Sequence, residues 1–159
     1  MTQLPNGRRA ALDYGDVRIG VAVSDFHQIL CSPLPYIAND ANLESSLRNF
    51  AQEYEPVYWV VGMPLNLSGS AGESVEKVQE FLHRFRQWVS GEIYLIDERR
   101  TTLEAARKLR EAGISAREQK SLIDSMSAVS FLEAALEEEK SSSGLTLTKF
   151  VSDEVSDEN

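Results

Sequence analysis

Apolar residues fall along this chain in two rhythms. Ile19, Val21 and Val23 alternate with Gly20, Ala22 and Ser24, the two-residue period of a strand. Residues 9–14 form a shorter apolar stretch just before it, and Tyr14-Gly15-Asp16 supplies turn residues between the two. The pattern predicts a hairpin over 9–14 and 17–25. Its small alternate residues predict that another element packs closely over that face. Residues 29–37 read as a third strand, which Pro33 and Pro35 restrict to an edge or a loop.

The period then changes. Leu43, Leu47, Phe50 and Ala51 stand at helical spacing and predict a helix over 41–54, capped by Asn39 or Asp40 and ended by Pro56. VYWVVG at 57–62 is an unbroken apolar run, as in a strand covered on both faces. MPLNLSGSAG at 63–72 is rich in turn formers and reads as a loop. Val75, Val78, Phe81, Leu82, Phe85 and Val89 form the apolar stripe of a helix over 71–89, closed by Gly91. EIYLI at 92–96 is the next strand and runs straight into Asp97-Glu98-Arg99-Arg100. Thr101 with Glu104 has capping-box spacing and predicts a helix ending before Gly113. Ser121 with Asp124 has the same spacing and predicts that a last helix opens there and runs to 138.

The predicted fold is α/β. One antiparallel hairpin joins strands that alternate with helices and run parallel to the first strand, giving a mixed sheet with helices on both faces. A length of 159 residues suits one domain, over 1–138. Residues 139–159 are Ser/Gly-rich and then acidic, and predict a disordered tail.

Charge changes the picture only when it is located. The net charge of −9 argues against a nucleic-acid partner. Yet residues 137–159 carry −5 of it, while 99–120 hold seven Lys/Arg against three Glu. That basic stretch suits a solvated helix face or contacts to a polynucleotide backbone. No apolar run has the length of a membrane span, and the N-terminus lacks the apolar core of a signal peptide, so a cytoplasmic protein is expected. Cys31 is the one cysteine and His27 and His83 the two histidines, which excludes an internal disulfide and disfavours zinc.

The chemistry rests on carboxylates. Sites in such sheets collect at the carboxyl ends of parallel strands. Asp13 ends the first strand, Asp97 and Glu98 follow the 92–96 strand, and Asp124 stands in line with the apolar side of the last helix. Taken singly, Asp13 reads equally as a turn residue, Asp97 or Glu98 as an ion-pair partner of Arg18 or Arg99, and Asp124 as a helix cap. Taken together, converging carboxylates would repel one another without a cation between them. Mg²⁺ accepts such oxygen ligands together with phosphate oxygens, and paired ions assist phosphodiester hydrolysis.

Four separated blocks resemble the YqgF/RuvX family of RNase H-like nucleases. ALDYGDVRIGVAVSD at 11–25 is similar to the family's D-x-G-x-x-R-I-G-V-A hairpin, and VVGMPLNLSGSAG at 60–72 to its glycine–proline–asparagine loop. IDERRTTLEAARKL at 96–109 is similar to its D-E-R-x-T-T block, and IDSMSAVSFLEAAL at 123–136 to its final D-x-x-A-A helix. Ser127-Ala128 replaces the usual alanine pair. The resemblance implies an RNase H-like fold and a Mg²⁺- or Mn²⁺-dependent nuclease with Asp13, Glu98 and Asp124 as catalytic metal ligands and Asp97 as a less certain fourth. It implies that Arg18, Asn66, Arg99 and Thr101 surround the site, with Arg100 in the basic stretch beside them. Gly62 and Pro64 would shape the loop near it. The implied substrate is precursor 16S rRNA during 5′-end maturation. Branched DNA is the alternative substrate, and a non-cleaving ribosome-assembly or transcription factor the alternative role. The expected state is a monomer or a homodimer, and a firm dimer would favour branched DNA. A sugar-kinase or actin-like ATPase also opens with an Asp-x-Gly hairpin, but needs a second domain for which 159 residues leave no room.

Overall fold

The computed structural model describes residues 4–64, 73–97, 116–141 and 144–151, and within them the side chains of Glu73 and residues 116–124 lie outside the description. The hairpin forms as its alternation predicts: β1 (Ala10–Asp13) pairs antiparallel with β2 (Arg18–Ser24). Next comes β3 (Cys31–Ala38), an edge strand as Pro33 and Pro35 require, since proline has no amide to give to a ladder. Helix α1 (Leu43–Tyr54) follows, then β4 (Tyr58–Met63), α2 (Glu73–Trp88) and β5 (Glu92–Asp97). Helix α3 (Ala116–Lys140) and the short β6 (Thr148–Lys149) complete the described chain.

Among the described residues the sheet has the order β3-β2-β1-β4-β5-β6. Strand β4 runs parallel to both β1 and β5, so the predicted parallel core is present. Side-chain alternation sends the two faces of these strands to different helices. Leu12, Val21, Trp59, Val61 and Ile93 pack with Leu47, Phe50, Phe81 and Phe85 of α1 and α2. Ala11, Ala22, Val60 and Ile96 pack with Ala128, Phe131, Leu132 and Ala135 of α3. Alanines facing alanines let α3 lie close to the sheet, which is the close packing that the small residues of β2 predict. Among the described residues no helix is long and apolar enough to cross a membrane.

Three expectations change. Neither Asn39 nor Asp40 caps α1. Asn42 holds the N-cap position without a side-chain bond, and the Asp40 carboxylate instead accepts the amide of Asn42, closing a turn one step earlier. The Ser121–Asp124 spacing does not open a helix, because α3 has begun at Ala116 and both residues lie inside it. Ala116-Arg-Glu-Gln-Lys120 are all strong helix formers, so the helix extends through the box. The segment after Lys140 is not wholly a free tail. Residues 148–149 pair antiparallel with β5, and Phe150 enters the core against α2. Its apolar anchor outweighs the polar composition around it. The predicted helix over 101–112 lies outside the described residues.

Candidate active site

The site is organised by what surrounds Asp13. This residue is half-buried at the carboxyl end of β1, register partner of Gly20 on β2. On the other side of β1, Leu12 is level with Val61, which places Asp13 level with Gly62 of β4. Alternation gives Asp13 the face of Ala11, the face that α3 covers. The next residue confirms the parity. The Tyr14 ring lies 4.7 Å, centroid to centroid, from Phe81 of α2 on the opposite face.

The turn after Asp13 is held from two directions. Gly15 is required there, because a Cβ would stand 2.5 Å from the carbonyl oxygen of Arg18. The Asn39 side chain donates to the Gly15 carbonyl at 2.8 Å, and its amide donates to that of Val17 at 2.9 Å. From α2, Lys77 Nζ reaches the Asp16 carboxylate at 3.3 Å. The carboxylate of Asp13 thus leaves a turn whose backbone is fixed. Exposed Arg18 begins β2 beside this turn, its guanidinium carbon 5.2 Å from the centre of the Tyr36 ring.

The other predicted residues divide plainly. Asp124 lies on α3 by its backbone, one residue before Ser125, and its side chain is outside the description. Glu98, Asn66, Arg99, Arg100 and Thr101 lie outside the described residues. Asp97 ends β5 as register partner of Met63, with the parity of Leu95. It therefore takes the α1–α2 face, opposite to Asp13, and β4 stands between their strands. Among the described residues no group of three or more His, Cys, Asp or Glu side chains is gathered closely enough to hold a metal ion. A half-buried carboxylate in a fixed turn is nonetheless the hard oxygen donor that Mg²⁺ or Mn²⁺ prefers. Asp13 fits that role.

Ser125 is a residue that the sequence reading passed over. It is fully buried, and its Oγ accepts the Val21 amide at 3.0 Å and donates to the Leu34 carbonyl at 2.6 Å. A serine inside a helix carries no signal of this kind, since most such serines face water. Gly62 has a sharper reason than loop shape. A Cβ there would meet Phe131 of α3 at 2.4 Å.

Comparison with known proteins identifies the family and the fold. The family model described as "RuvX: Holliday junction resolvase" matches residues 7–138. A protein of Streptomyces coelicolor named "Putative pre-16S rRNA nuclease" is 37% identical over 141 residues, covering 87% of this chain and 84% of its own. A Rhodococcus opacus protein of the same name is 40% identical over 139 residues, covering 83% of this chain and 78% of its own. Among solved structures, the T. thermophilus RuvC in complex with a Holliday junction substrate shares the fold. Its TM-score is 0.60 at 12% identity, over 91% of this chain and 99% of that one. The sheet is thus of the RuvC, RNase H-like kind, and the chain belongs to the RuvX family.

Proposed function

We propose that this protein is a divalent-metal-dependent nuclease that hydrolyses phosphodiester bonds in the 5′-end maturation of pre-16S rRNA. The observation that carries the reading is the placement of Asp13. It is half-buried, at the carboxyl end of a central strand, on the face where α3 brings in the backbone of Asp124. The names of the relatives supply the substrate class. Asp13, Glu98 and Asp124 would hold Mg²⁺ or Mn²⁺, which when bound stabilises the charge that develops on a phosphodiester under attack by water. Alternation along β5 speaks against Asp97 as a further ligand, because it shares the parity of Leu95, opposite to Asp13.

The chain's own residues perform the rest. The braced turn at Gly15 fixes the backbone that carries Asp13, so little chain entropy is lost there on binding. Arg18 at the same end of the sheet, with Asn66, Arg99, Arg100 and Thr101, would contact backbone phosphates and position the strand to be cut. Basic side chains there would attract a polyanion to an otherwise acidic body.

A second reading, cleavage of branched DNA, is favoured by the family's description. Resolving a four-way junction needs two sites related by symmetry, hence a dimer. One experiment separates the readings: incubation of the protein with precursor 16S rRNA and with a four-way DNA junction, each with Mg²⁺, Mn²⁺ or chelator. We expect chelator-sensitive cutting of the RNA. Asp13→Asn should lower it by more than about 100-fold, beyond the 10–100-fold typical of losing an outer partner of a ligand, with the fold kept. Full activity in Asp13→Asn would remove Asp13 from the site. Cutting of the junction alone would transfer the assignment to DNA, and tight binding without cutting would leave a non-cleaving factor.

A further inference from the structure

The β2–β3 ladder is irregular at one place. Ile19 pairs with Ile37 but Val21 pairs with Leu34, so β3 spends one more residue than β2 over that step. Ser125 of α3 sits at this bulge. Its one hydroxyl takes the Val21 amide and gives its proton to the Leu34 carbonyl, joining two strands and a helix through a single fully buried atom.

We infer that Ser125 is a positioning residue: its hydroxyl, wedged in the β2–β3 bulge, fixes the register of α3 on the sheet and so the placement of Asp124 relative to Asp13. The inference rests on the proposed metal site. The linkage is short. Asp13 pairs with Gly20, Val21 follows Gly20, Val21 bonds Ser125, and Ser125 follows Asp124. Between Ser125 and Glu139, which Arg9 and Tyr58 hold at the far end of the helix, the contacts of α3 with this face are made by apolar groups such as Ala128 and Phe131. Apolar contact is non-directional and tolerates sliding. Sliding by one residue moves a helix about 1.5 Å along its axis and turns each side chain by about 100°. A magnesium site with ligands near 2.1 Å and octahedral demands does not survive that displacement. The bond that Ser125 Oγ accepts from Val21 and the bond it donates to Leu34 oppose that displacement beside Asp124.

The test uses the full chain and no nucleic acid. Mn²⁺ affinity is measured by calorimetry for the wild type, Ser125→Ala, Ser125→Thr and Asp13→Asn, beside melting temperatures. The wild type should bind, and Asp13→Asn should lose that binding. Ser125→Ala should bind about tenfold more weakly, the scale of an outer-partner loss. Ser125→Thr, which keeps the hydroxyl, should retain most of the affinity even where its extra methyl lowers the melting temperature. A lowered melting temperature with wild-type affinity in Ser125→Ala would overturn the inference, because the hydroxyl would then be structural only. Amide exchange in the wild type decides the matter independently, including where Ser125→Ala does not fold. Saturating Mg²⁺ should slow exchange of the Val21 amide severalfold and leave Ala10, at the far end of β1, unchanged. Equal exchange at Val21 with and without bound Mg²⁺ would overturn it. A wild type that binds no Mn²⁺, or an Asp13→Asn that binds as well, would remove the metal site itself and the positioning role with it.

Discussion

Single residues at the site are constrained by neighbours far away in sequence. Gly62 shows this most directly. Its absent side chain is replaced by the Phe131 ring, which is almost fully buried. Gly62→Ala would place a methyl carbon 2.4 Å from that ring and force α3 off β4. We expect a loss of about 1–3 kcal/mol, the usual cost of overpacking, read as a lower urea midpoint with an unchanged slope. The sequence shows Gly62 beside Pro64 and suggests a loop role. It shows nothing of Phe131, because a contact between a strand and a distant helix leaves no local mark. Asp13 is the opposite case. Its position at the end of an apolar run, followed at once by a glycine turn, marks it locally.

At the scale of elements, α3 is fastened at two points. Ser125 holds its middle to the bulge, and Glu139 holds its C-terminal end to the start of the sheet. Fully buried Arg9 gives Glu139 two bonds, of 3.2 Å and 2.7 Å, and donates to the Gly7 carbonyl at 2.7 Å. Tyr58 donates its hydroxyl to the same carboxylate at 2.8 Å, with the Arg9 guanidinium 5.3 Å from its ring centre. Burial pushes the Tyr58 phenol well above its ordinary value near 10, and the Glu139 carboxylate pushes it further. A phenol raised in this way keeps its proton in the folded chain after the unfolded chain has lost it. Stability is therefore complete below about pH 10 and falls as the pH rises beyond, by at most about 1.4 kcal/mol per pH unit. Tyr58→Phe should lose about 1–2 kcal/mol at pH 8 with the hydrogen bond to a charged group. Between pH 8 and pH 11 it should then lose less stability than the wild type. Equal losses over that range would show that the phenol ionises freely. None of this clamp is legible in the sequence. Arg9 and Glu139 stand at a strand end and a helix end, where charge ordinarily meets water. The elements themselves are legible, since β1, β2, β4, β5, α1 and α2 each follow an apolar period. The start of α3 is not, because capping-box spacing also arises by chance inside helices.

Over the whole molecule, the parallel core follows from strands alternating with helices, and its outer edge does not follow from anything periodic. Strand β6 has two residues, both exposed, in a stretch whose composition suggests disorder. Only Phe150 betrays it. Its amide donates to the Ile93 carbonyl at 2.7 Å, its carbonyl accepts from Arg86 at 3.3 Å, and its ring meets that of His83 at 5.3 Å. The pairing covers the edge of β5, which would otherwise present a free ladder to other chains. Because β6 runs antiparallel to β5, Val151 lies toward the β5 end marked by the Lys149–Glu92 pair, away from Asp97 and the carboxyl ends of the parallel strands. The strap therefore acts on stability and on edge protection, at a distance from Asp13. Phe150→Ala should cost about 3 kcal/mol, at the low end for a buried aromatic because the strap can detach instead of leaving a cavity. Urea unfolding followed by tryptophan fluorescence reads this well, since Trp59 belongs to the same core as Phe150. A strap outside the cooperative unit would leave the midpoint unmoved. Detachment would also bare the β5 edge, so the variant should self-associate as its concentration rises while the wild type does not. Cleavage per folded molecule should stay the same, because among the described residues Phe150 bonds Ile93 and Arg86 and meets His83, away from the end of the sheet where Asp13 stands.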